Sequence, residues 1–70
     1  MIDMIDSNQK FTVEQARVLS GHSQESMAKA LGLSKNAYIN KEKGLSRFYV
    51  DEAILFEKIC GINFSKIKFF

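Results

Sequence analysis

Apolar residues recur at helical spacing in three stretches of the chain, and a fourth stretch is helical by its boundaries alone. In the first, Val13, Ala16 and Leu19, or the neighbouring Val18, form a stripe behind the capping box Thr12-x-x-Gln15. Phe11 is placed to staple onto Ala16, and Gly21 closes the helix. In the second, Ser23 caps an inner face of Met27, Ala28 and Leu31, with Glu25 near the positive end of the helix dipole and Gly32 as the stop. The third runs from the cap Ser34 to about Lys43, ahead of Gly44. Its apolar content is thin: Ala37, Tyr38 and partly Ile39, among Lys35, Asn36, Asn40, Lys41, Glu42 and Lys43. A helix this polar in a small domain turns most of its circumference to water or to a charged partner.

Leu45 to Tyr49 reads as a connection, and Val50 to Cys60 as a fourth helix with Val50, Ala53, Ile54, Phe56 and Ile59 apolar and Gly61 as its stop. The tail INFSKIKFF alternates apolar and polar residues in part, and predicts a short helical turn around Ser65–Lys68 or an extended segment. Residues 1–10 carry no helical period and read as a flexible arm, leaving residues 11–70 as the domain.

Length changes this picture little. Seventy residues allow one small domain, which buries only about 60% of the surface its unfolded chain exposes. The single Cys60 cannot make an internal disulfide, and a reducing, cytoplasmic setting is expected. MIDMIDSNQK is no signal peptide, and no apolar run approaches the roughly 20 residues of a membrane span. Charge adds more. Residues 1–28 carry a net −2, residues 29–47 a net +4 and residues 48–70 a net zero. The positive charge sits on and around the polar third helix, where it is either a solvated face or a surface for a polyanion.

Two helices joined by a tight turn at Gly32-Leu33-Ser34, the second of them polar and basic, form a helix-turn-helix pattern. SQESMAKALGLSKNAYINKEKG resembles the Cro/cI-repressor type of this motif, the XRE-like or lambda-repressor-like family. KEKGLSRFYVDEAILFEKI extends the likeness to small phage and prophage regulators, so that it covers about Phe11 to Ile67. The resemblance implies an all-α, compact four- to five-helix domain that binds double-stranded DNA with its third helix in the major groove. It implies base contacts from Lys35, Asn36 and Asn40, which suits their chemistry: Lys donates to guanine acceptors and Asn bonds adenine bidentately. It implies phosphate contacts from Gln24, Ser34, Lys43 and Arg47. It matches Arg17 and Glu42 to a salt bridge between the first and third helices. Lys41 departs from the pattern, standing where many members bury an aliphatic residue, and Tyr49 stands where Ser or Thr commonly caps the fourth helix.

Phe64, Ile67, Phe69 and Phe70 either cap the domain's own core or form a homodimer surface, and a small domain rarely leaves such a patch bare. His22 stands alone and makes no metal site. The serines have no His/Asp constellation around them and the carboxylates are scattered, so no enzyme activity and no cofactor is expected. The leading reading is a sequence-specific transcriptional regulator of phage or prophage type, binding an operator as a homodimer. The alternative is an antirepressor that binds a partner repressor through the same fold.

Overall fold

The computed structural model describes residues 10–69, so the expected arm, apart from Lys10, lies outside the described residues, as does Phe70. The chain runs through β1 (Phe11–Thr12), α1 (Val13–Leu19), α2 (Gln24–Leu31), α3 (Lys35–Glu42), α4 (Val50–Cys60), a 3-10 turn (Phe64–Lys66) and β2 (Ile67–Lys68).

Local chemistry accounts for the helix starts. Gln15 N donates to Thr12 Oγ1 and Thr12 N donates to Gln15 Oε1, which closes the capping box of α1. Ser23 and Ser26 make the reciprocal pair at the start of α2, and Ala37 N donates to Ser34 Oγ at the start of α3. At the turn after α2, Gly32 takes φ 74°, and the Leu33 N–H reaches back to the Ala28 carbonyl at 2.8 Å. A Cβ built on Gly32 would meet nothing within 4 Å. The left-handed backbone, not space, therefore selects glycine there.

The core is built from Val13, Ala16, Met27, Ala28, Leu31, Tyr38, Phe48, Ala53, Phe56 and Ile67. Tyr38 is the one core residue that α3 supplies, and it is fully buried. Phe48 is the surprise. It comes from the connection between α3 and α4, yet its ring stands edge-on to Tyr38, Phe56 and Phe69, with centroids 6.5, 5.8 and 5.2 Å away. Edge-to-face pairs of this kind add to area burial. Leu45 and Tyr49 in the same connection are exposed, and a loop has no period to tell the buried ring from its apolar neighbours.

Two expectations need correction. The outer end of the α1 stripe fails: Val18 and Leu19 are exposed, and Arg17 is buried in their place. The helix is only two turns long, and its inward position at the second turn is claimed by a charge with a partner. The tail takes both of its expected forms in turn, and it is the assembly surface expected there that is not found among the described residues. The tail forms a 3-10 turn followed by a strand that pairs in parallel with β1, Phe11 opposite Ile67 and Thr12 opposite Lys68. Phe11 thereby belongs to a strand, and Ile67 is only 3% exposed. Phe64 and Phe69 pack against the core and each other, with ring centroids 5.1 Å apart. Ile67 is thus no assembly surface, and Phe64 and Phe69 serve the chain's own interior, because the strand pairing folds the tail back over the open end of the core. The Phe64 N–H donates to Glu57 Oε2, which fixes where the tail turns back.

Ile67→Ala is therefore expected to cost about 2–5 kcal/mol in urea unfolding, as for a well-packed core residue. Leu45→Ala, at a 74% exposed side chain, should stay within about 0.5 kcal/mol. Equal effects at the two sites would show that the tail is not part of the folding unit.

Candidate nucleic-acid interface

Helix α3 has one anchored side and one free side. Lys35, Asn36, Asn40 and Lys43 are exposed, and Ile39 is half-buried between them. At 3.6 residues per turn these positions share an arc of roughly 140°. Tyr38, Lys41 and Glu42 occupy the remaining part of the circumference. The arc is long-chained, polar and positively charged, with two amide side chains that can donate and accept at once.

The anchored side is held by a single carboxylate. Glu42, the last residue of α3, receives Arg17 Nε at 2.7 Å on Oε2 and Tyr38 Oη at 2.6 Å on the same oxygen. Its Oε1 receives Gln24 Nε2 at 2.9 Å and Arg17 Nη2 at 3.4 Å. The Arg17 and Glu42 side chains are only 10% and 5% exposed. Arg17 Nη1 also donates to the His22 carbonyl, which ties down the turn between α1 and α2. Residues of all three helices thus meet on Glu42. Burial pushes the Glu42 carboxyl toward protonation, but the donors from Arg17, Tyr38 and Gln24 outweigh it and hold its pKa below the ordinary value. The Tyr38 hydroxyl is driven far above the usual phenol range, first by burial and then by the neighbouring carboxylate. Arg17 is raised chiefly by its hydrogen bond to Glu42.

A second latch fixes the same C-terminal end of α3 from the side of α4. Lys41 Nζ lies 2.9 Å from Glu52 Oε1, donates to the Arg47 carbonyl at 2.7 Å and stands 4.5 Å over the Tyr49 ring. Glu52 Oε1 in turn accepts from the Tyr49 N–H at the start of α4. The lysine in the usual aliphatic position is therefore a structural cation, with its charge matched inside the chain. By charge alone Lys41 belongs with the outward-facing cations between positions 29 and 47. The exposed cations left on and beside α3 are Lys35, Lys43 and Arg47, with Lys29 on α2.

The residues expected to touch phosphate are dispersed around this arc in different states. Lys43 and Arg47 are exposed. Ser34 is exposed at the α3 N-terminus, its hydroxyl oxygen accepting from Ala37 N. Gln24, at the first position of α2, is half-buried, with one amide N–H on Glu42. An amide carries a second N–H, so the contact with Glu42 does not exhaust it. The Tyr38–Glu42 bond was readable in principle from its i, i+4 spacing. The Gln24–Glu42 and Lys41–Glu52 contacts join residues far apart in sequence and left no such signal.

Two helices set by a glycine turn, with the second presenting a free polar face, define a helix-turn-helix domain. The sequence model of the helix-turn-helix family matches residues 13–67, and the chain belongs to that family, in its XRE/cI-like form. No curated protein and no solved structure matches the chain. Membership makes it a DNA-binding transcription regulator whose partner is double-stranded DNA. Among the described residues, no helix is long and apolar enough to cross a membrane.

Because the folded Glu42 pKa lies below the unfolded one, its contribution to stability is complete above the ordinary value of 4.5 and is lost as pH falls below it. Thermal unfolding followed against pH should show this acid-side loss in the native chain. Glu42→Gln should flatten it, and an unchanged acid limb would remove Glu42 as its source. Glu42→Ala alone is expected to cost about 3–5 kcal/mol, since it strands the Arg17 charge. The Arg17→Met, Glu42→Met double variant should be less damaged than the two single changes summed, as a double-mutant cycle would read.

Proposed function

We propose that the chain is a sequence-specific repressor-type regulator that binds an operator as a homodimer, in a cytoplasmic setting. The observation that carries this is the free arc of α3. Lys35, Asn36 and Asn40 are all exposed on it, while the helix is held by the Ser34 cap at its start and by the Glu42 and Lys41 contacts at its end. A recognition surface must be held still to read base edges, because each ordered side chain and each loose element subtracts from affinity. Lys35 is suited to guanine O6 and N7, and Asn36 and Asn40 to adenine N6 and N7. Lys43 and Arg47 supply charge to the flanking phosphates, and Gln24 and Ser34 add donors at the starts of α2 and α3. The likeness of KEKG…F…EA…I to small phage and prophage regulators supports a role of that type. A homodimer places two α3 helices on half-sites about one DNA turn apart.

Operators selected from a random DNA pool should be palindromic. Their affinity should fall with salt at a log–log slope of about −4, from the two phosphate-facing cations Lys43 and Arg47 on each of two copies. Lys43→Ala should reduce that slope by about 2 in the dimer and weaken all sequences alike. Lys35→Ala and Asn40→Ala should each cost about 1–3 kcal/mol per half-site and relax preference at one base position. A chain that binds no DNA at low salt but binds a partner repressor tightly would replace this reading with an antirepressor. Retained operator preference in the Lys35→Ala, Asn40→Ala double variant would remove the base contacts assigned to those two residues.

A further inference from the structure

With Ile67 buried and Phe64 and Phe69 packed inward, the described part of the tail does not supply the surface that a dimer needs. Helix α4 does. Its inner side is set by Ala53 and Phe56, which are fully buried. Its outer side carries Asp51, Ile54, Leu55 and Lys58, all exposed. Ile54 and Leu55 are large apolar side chains facing water at 43% and 39% exposure. They lie between Asp51 and Lys58, which are seven residues apart and so share one side of the helix about two turns from each other. Neither charge takes part in an ion pair among the described residues. Asp51 accepts only from the N–H of Glu52.

This order of residues, acid, apolar pair, base, is complementary to itself when reversed. A two-fold axis passing between Ile54 and Leu55 sets Asp51 of each copy against Lys58 of the other and places the four apolar side chains at the centre. In the parallel arrangement Asp51 would face Asp51 and Lys58 would face Lys58, which costs free energy at both ends. Closed two-fold dimers need such self-complementary patches. We infer that a second copy of this chain docks antiparallel along α4, with paired Asp51–Lys58 contacts across the interface. The inference rests on the proposed reading in that a palindromic operator calls for two copies.

One helix on one helix is a small interface, below the usual range of about 1,200–2,000 Å². The free dimer is therefore weak, salt-sensitive and populated at micromolar to millimolar concentrations. An operator with two half-sites then couples the copies by raising their effective concentration.

The test is sedimentation equilibrium of the full chain without DNA, at low salt. Asp51→Lys, which leaves two lysines on the patch, and Lys58→Asp, which leaves two aspartates, should each weaken self-association by about tenfold. The Asp51→Lys, Lys58→Asp double variant should recover it. An equimolar mixture of the two single variants should form a heterodimer more readily than either forms a homodimer, because each copy then meets its opposite charges. Amide shifts of the native chain on dilution should concentrate on α4, a measurement that depends on no variant. A native chain that stays monomeric into the millimolar range, single variants that associate as the native chain does, or shift changes confined to another element would each overturn the inference. Binding to DNA carrying one half-site, measured alongside, separates the two ideas. If half-site binding persists while self-association is absent, the α4 interface fails alone. If self-association persists while no DNA is bound, the regulator reading fails alone.

Discussion

The Glu42 carboxylate is the constraint on which the rest of this small structure depends. A buried carboxylate is tolerated only when donors replace the water it has lost. Here the donors come from Arg17 on α1, Gln24 on α2 and Tyr38 on α3 itself. Because hydrogen bonds fail beyond a few tenths of an ångström, the requirement fixes the three helices relative to each other more tightly than apolar contact would. The alternative, an aliphatic cluster at the same place, would fill the volume without specifying the angle.

Helix α3 needs that help because it brings almost no core of its own. Tyr38 is its one fully buried side chain, and the remainder of the helix is polar. An isolated eight-residue helix of this composition is unstable in water. It is kept by a Ser34 cap at one end, by Glu42 and the Lys41 latch at the other, and by the Tyr38 ring against Phe48 between them. The same economy leaves the outward arc free of packing duties, so Lys35, Asn36 and Asn40 are available to a partner while the helix beneath them stays fixed.

The charge distribution is sorted along the same lines. Of the basic residues that cluster between positions 29 and 47, Lys41 is spent on Glu52 and on the Arg47 carbonyl. The outward field is therefore weaker than the sequence count implies, but it is placed where the surface is exposed. A net charge alone would not have distinguished a latch from a phosphate contact.

The sequence by itself determined the helix ends and the motif. Thr12, Ser23 and Ser34 act as caps, and Gly32 takes the left-handed turn, because capping and φ preference are local properties read over three or four residues. The polar face of α3 was legible for the same reason: its periodicity lies within one helix. What only the tertiary structure decided concerns residues with ambiguous local signals. Phe48 in the connection before α4 became a core ring, Arg17 displaced Val18 and Leu19 from the interior, Lys41 turned inward, and the tail became a strand on β1 rather than an open surface. Each outcome was settled by partners on other elements, Tyr38, Phe56 and Phe69 for Phe48, Glu42 for Arg17, Glu52 for Lys41 and Phe11 for the tail, whose proximity exists only once the chain has folded.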